Sequence, residues 1–492
     1  MDTIRRRPHI NILMTLKVIG LLLMFEGVFM LIPIIVSLIY DENSEIVPFA
    51  IGGGVTFISG LLMNLFLPSG TTDMGKREGF MLTAFVWIFF SFFGMIPFMI
   101  GSTQMTVHDA FFEAMSGFTT TGSTTLYDLT GLTKTMFFYR CLIQWLGGMG
   151  IILFTLSIIP MLNSSGGMQM FNAEVTGITH DKIRPRISQT AKRLWGCYAL
   201  LTCLLAGLLC FSPMTLFDSI CHGMGTLSTG GFSTTTGFID QWDSVYVKIL
   251  LGIFMFIGGI NFVLIYRLSI GDIRGVWKNE TFRIYVKYVI GFGLVVAAIL
   301  FFQGKSTNLE NGLIDPFFQV ISSSSTTGYI VEGYNEWGGP IVMIFLLLMF
   351  IGSSAGSTTG GLKLDRVMYL FKNIKNEIYR VLHPNSIVPV TYNDKPVSPE
   401  LVNKTMAFIA LYAVIVLIGT FVITLSGADL SDAFITSFSC ISNAGLGGDV
   451  TNVNTYAIIP DFAKWVLSFI MLIGRLELFT ITVLISVGFW RR

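Results

Sequence analysis

The chain has 492 residues, of which 52% are hydrophobic and 12% charged, and its formal net charge is +1. A soluble domain carries about 25% charged residues, so this composition excludes a soluble globular protein and requires a polytopic membrane protein. The near-neutral balance gives no sign of a nucleic-acid partner, and none is expected. The cysteines Cys141, Cys197, Cys203, Cys210, Cys221 and Cys440 lie inside apolar runs without CxxC spacing and read as small core residues.

In chain order, the apolar run after Arg5-Arg6-Arg7 extends to about Tyr40. That is too long for the apolar region of a cleavable signal peptide, so none is expected. Two hydrophobic segments, roughly 11–40 and 46–67, flank the acidic turn Asp41-Glu42-Asn43-Ser44-Glu45. A pattern then repeats four times: an Asp, an apolar stretch of about ten residues, a run of small polar residues, and a Gly thirteen positions after the Asp. The pairs are Asp109 and Gly122, Asp218 and Gly231, Asp315 and Gly328, and Asp432 and Gly445. Before the glycines stand Thr119-Thr120-Thr121, Ser228-Thr229-Gly230, Ser325-Thr326-Thr327 and Ser442-Asn443-Ala444.

Ten apolar residues are too few to span a bilayer, which takes about 20, but they suit a re-entrant half-helix. Each Asp reads as the N-cap of its half-helix, and Pro316 suits a first turn. After the half-helix the chain turns back through Gly and hydroxyl residues. Irregular backbone at membrane depth survives only where it is buried or lines a water-filled cavity. Four such turns around one axis would offer backbone carbonyls that replace the hydration shell of a cation, and the negative ends of four half-helix dipoles would favour that cation. The candidate filter is therefore Thr120, Thr121 and Gly122; Thr229, Gly230 and Gly231; Thr326, Thr327 and Gly328; and Asn443, Ala444 and Gly445.

Spanning helices are expected on both sides of each half-helix: 79–100 and 134–161, 193–212 and 244–268, 283–302 and 338–380, and 404–426 and 462–489. With the N-terminal pair this makes ten spans and four re-entrant loops, divided as 1–70, 71–168, 169–275, 276–385 and 386–492. The fold class is an all-α polytopic membrane protein with four pseudo-fourfold helix–pore-loop–helix repeats. Lys and Arg cluster on one side (Arg5–Arg7, Lys76, Arg77, Lys182, Arg184, Arg186, Lys192, Arg193, Arg267, Arg274, Lys278, Lys372, Lys375, Arg380, Arg491, Arg492), which places both termini in the cytoplasm. The other side carries Asp41, Glu42, Glu45, Glu310, Glu332 and Glu336. The cytoplasmic loops around 162–192 and 381–403 are large enough for docking surfaces.

The third repeat breaks its pattern at Gly352-Ser353-Ser354-Ala355-Gly356-Ser357-Thr358-Thr359-Gly360-Gly361-Leu362-Lys363. The run resembles a phosphate loop only superficially, because Leu362 stands where the lysine should follow the glycine and the run follows a helix rather than a strand. The bland reading is a flexible linker. Its place one helix length past Gly328 favours an intramembrane loop beneath the filter, with Gly352, Ser353, Ala355, Gly356, Gly360, Gly361 and Lys363 as gate residues. The second helices of the repeats carry Leu146-Gly147-Gly148, Ile257-Gly258-Gly259, Ile351-Gly352-Ser353 and Ile473-Gly474-Arg475. Arg475 thus replaces a small residue. It reads either as a salt-bridge partner, with Glu477 poorly placed for that on a helix, or as a positive charge under the filter, the reading the register favours. Glu113, His222, Gln319 and Thr436 share one aligned position and read as braces behind the filter. No nucleophile–base constellation or metal spacing of histidines stands out, so an enzyme is not expected.

On these features the chain resembles the TrkH–KtrB–HKT superfamily of potassium transporters over about residues 70–492, and the extra N-terminal helix pair is similar to its TrkH branch. The resemblance implies potassium selectivity through Gly122, Gly231, Gly328 and Gly445, and K+ held by filter backbone carbonyls with no organic cofactor. It implies a homodimer with one pore per subunit in the lipid of a bacterial inner membrane. It also implies a TrkA-like cytosolic nucleotide-binding ring on the cytoplasmic face, and a gate formed by the break at 352–363 near Arg475. A carrier coupling potassium to sodium or protons is the alternative. Inverted repeats and paired intramembrane acids would favour it. The four units instead run in one sense, and acids near the midplane are few, Glu26 among them.

Overall fold

The computed structural model describes residues 11–68, 75–126, 129–150, 187–235, 238–331, 333–446, 456–476 and 478–490. Arg5–Arg7, Lys182, Arg184, Arg186, Glu332, Glu477, Arg491 and Arg492 lie outside these residues, as do the end of the expected 134–161 span and most of the 162–192 loop. The described residues are almost entirely helical, as the composition and the repeats require.

The N-terminal pair consists of Ile12–Met30 continued by Ile32–Ile39, and Ile46–Phe66. Pro33 in the first turn of the second piece removes a donor and offsets the helix at Leu31. Glycines form the seam between the two long helices. A Cβ on Gly60 would sit 2.3 Å from the Gly20 carbonyl oxygen, and one on Gly27 would sit 2.8 Å from that of Gly53. With no hydrophobic drive between helices in lipid, such close backbone approach supplies the packing.

Each repeat contributes a first helix, a half-helix and a second helix. The half-helices are Val107–Phe118, Leu216–Leu227, Asp315–Ser324 and Leu430–Ser442. The repeated Asp is not their N-cap. Thr106 and Thr215 cap the first two, and each hydroxyl donates to the aspartate three residues on (Asp109, Asp218) at 2.7 Å. Asp432 is likewise the third residue of a helix capped at Asp429, whereas Asp315 is the first residue of its helix, with Pro316 behind it. In the first, second and fourth units the helix starts two residues before the Asp, and of the three N-cap residues Thr215 accepts from the Asp218 N–H at 3.2 Å. The Asp in the first turn then complements the N-terminal dipole.

The second helices differ most from expectation. Val245–Gly258 and Phe262–Ser269 meet at 108°. Asp461–Arg475 ends sharply before Leu478–Ile485, and Lys134–Trp145 passes into a π-turn over Leu146–Gly150. In the third repeat Gly339–Ile351 and Leu364–Leu382 are separated by the expected break. These interruptions fall at the aligned positions Gly147-Gly148, Gly258-Gly259, Gly352-Ser353 and Gly474-Arg475. The continuous second spans expected in repeats two and four are therefore corrected to broken ones, and the described part of the first repeat's helix ends in a π-turn there. The cause is packing. A Cβ on Gly147 would sit 1.9 Å from the Phe118 carbonyl oxygen, and one on Gly474 would sit 2.1 Å from that of Ile441. The loop 381–403 also contains a hairpin, Thr391–Tyr392 with Lys395–Pro396, turned by Asn393 and Asp394 at positive φ.

Two lysines lock the repeats together. Lys464, in the second helix of the fourth repeat, bonds Asp109 of the first at 2.6 Å. Lys248, at the same position in the second repeat, bonds Asp315 of the third at 2.8 Å and Glu310 at 2.7 Å, and also contacts Asp240. Both ammonium groups are buried, so removing one strands carboxylates around an apolar hole. Lys248→Met should therefore lower stability by on the order of 3 kcal/mol, read as thermal unfolding of the purified protein in detergent. Adding Asp315→Asn should recover part of the loss, and a Lys248→Met protein as stable as the parent would remove the clamp.

Candidate functional site: a four-turn ring and the loop beneath it

Every half-helix ends in the same way. Thr120, Thr229, Thr326 and Asn443 adopt left-handed backbone, with φ of 52°, 53°, 52° and 51°. The next residue's N–H reaches back to the carbonyl five residues earlier: Thr121 to Ser116 at 2.8 Å, Gly230 to Gly225 at 2.9 Å, Thr327 to Ser322 at 3.0 Å and Ala444 to Ser439 at 3.1 Å. This is the Schellman termination, here built on threonine and asparagine rather than glycine. A non-glycine residue costs about 1 kcal/mol or more in that conformation, which the surrounding packing must offset.

One residue later the chain bends again at Gly122, Gly231, Gly328 and Gly445, all at positive φ. A Cβ on Gly122 would lie 2.2 Å from the Gly230 carbonyl oxygen. On Gly231 it would lie 1.9 Å from that of Thr327, on Gly328 2.3 Å from that of Ala444, and on Gly445 2.3 Å from that of Thr121. The contacts run from each repeat to the next and from the fourth back to the first, so the twelve expected filter residues form one closed ring.

Polar side chains brace the ring from outside. Glu113 accepts from the Thr125 N–H at 3.1 Å and from Thr124, and it is ion-paired at 2.8 Å with Arg140, whose guanidinium lies 4.1 Å from the Phe232 ring centre. His222 meets Ser233 Oγ at 3.1 Å and Gln319 accepts from the Val331 N–H at 3.3 Å. Gln144 donates to the Gly230 carbonyl at 2.6 Å and accepts from the Phe232 N–H at 3.1 Å. Asn443 donates to Thr121 Oγ1 and to the Met471 carbonyl, both at 2.9 Å.

Gln144 and Arg140 escaped the sequence reading, although a signal exists. Met255, Met349 and Met471 occupy the positions equivalent to Gln144, and Leu251, Phe345 and Leu467 those equivalent to Arg140. A polar residue in one repeat against three apolar ones is the feature that singled out Arg475.

The interruption at 352–363 packs directly against the half-helix ends. Ser353 Oγ donates to the Ser324 carbonyl at 2.7 Å, the Gly360 N–H to Thr326 Oγ1 at 2.7 Å, and the Gly361 N–H to the Ser442 carbonyl at 2.9 Å. Asn261 donates to the Ala355 carbonyl at 2.7 Å, and the Phe262 N–H to that of Gly356 at 3.0 Å. Gly352 and Gly361 have positive φ and pack on one another, and Lys363, also at positive φ, turns its ammonium back onto the Thr359 carbonyl. Arg475 donates at 2.7 Å to the carbonyls of Thr358, Gly147 and Gly148. It thereby joins repeats one, three and four through backbone carbonyls.

A membrane protein with four re-entrant half-helices closing a backbone ring belongs to the class of pore-loop cation pathways. Comparison with known proteins narrows the class. The family described as "Cation transport protein", TrkH, matches residues 49–299 and 303–489. The Trk system potassium uptake protein TrkH of Salmonella typhimurium is 34% identical over 486 residues, covering 96% of this chain and 98% of that protein. The Trk system potassium uptake protein TrkG of Escherichia coli is 31% identical, covering 96% of this chain and 97% of that one. The crystal structure of the potassium transporter TrkH from Vibrio parahaemolyticus superposes with a TM-score of 0.88 at 30% identity, over 98% of this chain and 100% of that one. The chain belongs to the TrkH family of cation transport proteins.

Because Arg475 holds the loop through three carbonyls, Arg475→Ala should loosen it. Amide hydrogen exchange over residues 352–363 should accelerate by on the order of tenfold, about 1.4 kcal/mol. Arg475→Lys should fall between, since one ammonium cannot span all three oxygens. Unchanged exchange in the alanine variant would show that the loop holds itself.

Proposed function

We propose that the chain is a potassium-selective pore for K+ uptake, in which the ion crosses the four-turn ring and the interruption at 352–363 gates it. The observation that carries this reading is the closed succession of glycine–carbonyl approaches, which leaves the carbonyls of Thr121, Gly230, Thr327 and Ala444 at one level around one axis. Those carbonyls, with the ones from Thr120, Thr229, Thr326 and Asn443, would take the place of water around a dehydrated K+. The half-helix C-termini point their dipoles at the ring, each equivalent to roughly −0.5 charge. No step requires a side-chain carboxylate, which suits a weakly hydrated monovalent ion that must also leave.

Below the ring, the loop bonds the ends of the third and fourth half-helices, and Arg475 adds a fixed positive charge next to it. Outward swing of 352–363 would open the path. In this reading the chain works as a homodimer in the bacterial inner membrane with both termini cytoplasmic. A TrkA-like cytosolic ring would act on the face that carries Arg267, Arg274, Lys278, Lys372, Lys375 and Arg380. The clustering of these basic residues supports that orientation.

One observation favours a second reading, a proton-coupled potassium carrier of the same architecture. Glu26 is buried between the N-terminal helix pair and the first repeat, beside Gly94, and neither carboxylate oxygen has a hydrogen-bond partner among the described residues. Flux into proteoliposomes separates the two. A pore gives K+ and Rb+ flux that follows the electrochemical gradient, whereas a carrier needs a proton or sodium gradient. Gly231→Ser or Gly328→Ser places a side chain against a neighbouring carbonyl and should lower the potassium-over-sodium permeability ratio about tenfold, or about 1.4 kcal/mol. An unchanged ratio would sink the filter assignment. Arg475→Ala should raise flux while leaving that ratio intact.

A further inference from the structure

On the side of the loop away from the ring lies a cavity of about 20 Å³, lined by Asn261, Thr281, Ser354, Ala355, Asp365 and Tyr392 among others. That volume holds one water molecule or one bare alkali cation. Asp365 is 4% exposed, and its carboxylate accepts from Thr281 Oγ1 at 2.5 Å and from the Ala355 N–H at 2.8 Å. Thr281 in turn meets the Tyr392 hydroxyl at 2.9 Å. Since an ionised Asp365 can only accept, Thr281 donates to it and Tyr392 donates to Thr281, while the side chains of Asn279 and Asn393 also bond the Tyr392 hydroxyl.

Two features of this cavity lack compensation. The buried carboxylate receives only neutral donors. The basic side chains beside it in sequence turn elsewhere: Arg366 donates to the Leu362 carbonyl and lies 4.1 Å from the centre of the Phe408 ring, and Lys363 donates to the Thr359 carbonyl. A buried carboxylate held by neutral groups alone is expensive. The second feature is Ser354, which is 2% exposed and lines the same cavity, yet its hydroxyl has no hydrogen-bond partner.

We propose that this cavity is a binding site for a single monovalent alkali cation, held by the Asp365 carboxylate and the hydroxyl oxygen of Ser354. Hard oxygens with one negative charge in so small a space fit a monovalent ion, whereas Ca2+ and Mg2+ take six or more oxygens and several charges or waters. The site joins two elements. Asp365 holds the interrupted loop through Ala355, and Tyr392 belongs to the hairpin 391–396, which is also tied to Glu280 through Asn393. A bound cation draws the hairpin, Thr281 and the loop together and so holds the loop in its observed position. This consequence for flux rests on the pore reading, but binding itself does not.

The test is thermal unfolding of the full-length protein in detergent, titrated with NaCl, because K+ would also be held by the ring under the pore reading, against N-methyl-D-glucamine chloride at constant ionic strength. A ligand that binds only the folded state raises the midpoint saturably. The proposal expects such a rise for the wild type and its loss in Asp365→Asn. Ser354→Ala should fold at least as stably without alkali cation, because it removes an unsatisfied buried hydroxyl, while its half-saturating concentration should increase about tenfold. Gly328→Ser, altered in the ring, should keep the wild-type response. If Asp365→Asn and Ser354→Ala both titrate like the wild type, or the response vanishes only in Gly328→Ser, the cavity is not the site. A saturable response to Mg2+ in place of the alkali ions would overturn the assignment to a monovalent cation. Should Asp365→Asn fail to fold, the shifted midpoint of Ser354→Ala decides alone.

Discussion

Four missing side chains set the terms for the whole molecule. At Gly122, Gly231, Gly328 and Gly445 the neighbouring repeat's carbonyl oxygen stands where a Cβ would be. Backbone can approach backbone that closely only if each half-helix stops at the same depth and turns in the same way, and this accounts for the common left-handed residue two positions earlier. The second helices must pass close behind the half-helix ends, which makes Gly147 and Gly474 obligatory. A helix that presents glycine at its tightest contact is also weakest there, and the second helices break at that level. Filter, half-helix terminus and helix break are consequences of one packing constraint.

Symmetry stops at the backbone. The ring requires four equal main-chain paths but leaves the side chains around it free to diverge. Lysine clamps occur in the second and fourth repeats only, joining each to the next repeat. A glutamine braces one turn, an asparagine crosses from another to Thr121, and a buried ion pair backs the first. The interrupted loop belongs to the third repeat and the arginine that holds it to the fourth. In the pore reading proposed above this asymmetry is sufficient, because one element beneath one axis would close it.

The sequence displayed the backbone symmetry plainly and its departures less so. The Asp-to-Gly interval, the small runs before each glycine and the glycine-rich break are local and repeat, so a single chain serves as its own comparison. Three half-helix starts were misplaced because the recurring Asp is more conspicuous than the N-cap residues Thr106, Thr215 and Asp429 three positions before it, whereas the third helix does start at Asp315. The π-turn at Gly147–Gly148 and the break at Gly258–Gly259 were missed because a glycine pair in an apolar span is tolerated in membranes, and only the carbonyl behind it reveals the need. Gln144 and Arg140 stand about one and two turns from the aligned glycines. The hairpin at 391–396 has two-residue strands, too short for any period to register.

The loop's bonds bear on how it could open. Ser353 holds Ser324, Gly360 holds Thr326, Gly361 holds Ser442, Ser354 and Thr358 hold the broken second helix at Gly259 and Gly258, and Arg475 holds Thr358. At about 1 kcal/mol net for each such bond, the observed arrangement is favoured by roughly 6 kcal/mol before strain is counted. A gap of about 5.5 kcal/mol is what a ligand must supply as differential affinity to carry a two-state element from 1:99 to 99:1. If the loop is the gate proposed above, thermal fluctuation alone would open it rarely, and a regulatory partner would have to distinguish the two states by a comparable amount. The obvious lever is Leu364–Leu382, which leaves the loop directly and presents exposed residues such as Phe371 and Ile378 at its far end. Because that helix begins at the loop's last residue, displacing it strains Gly360 and Gly361, the two glycines that seat the loop on the half-helix ends.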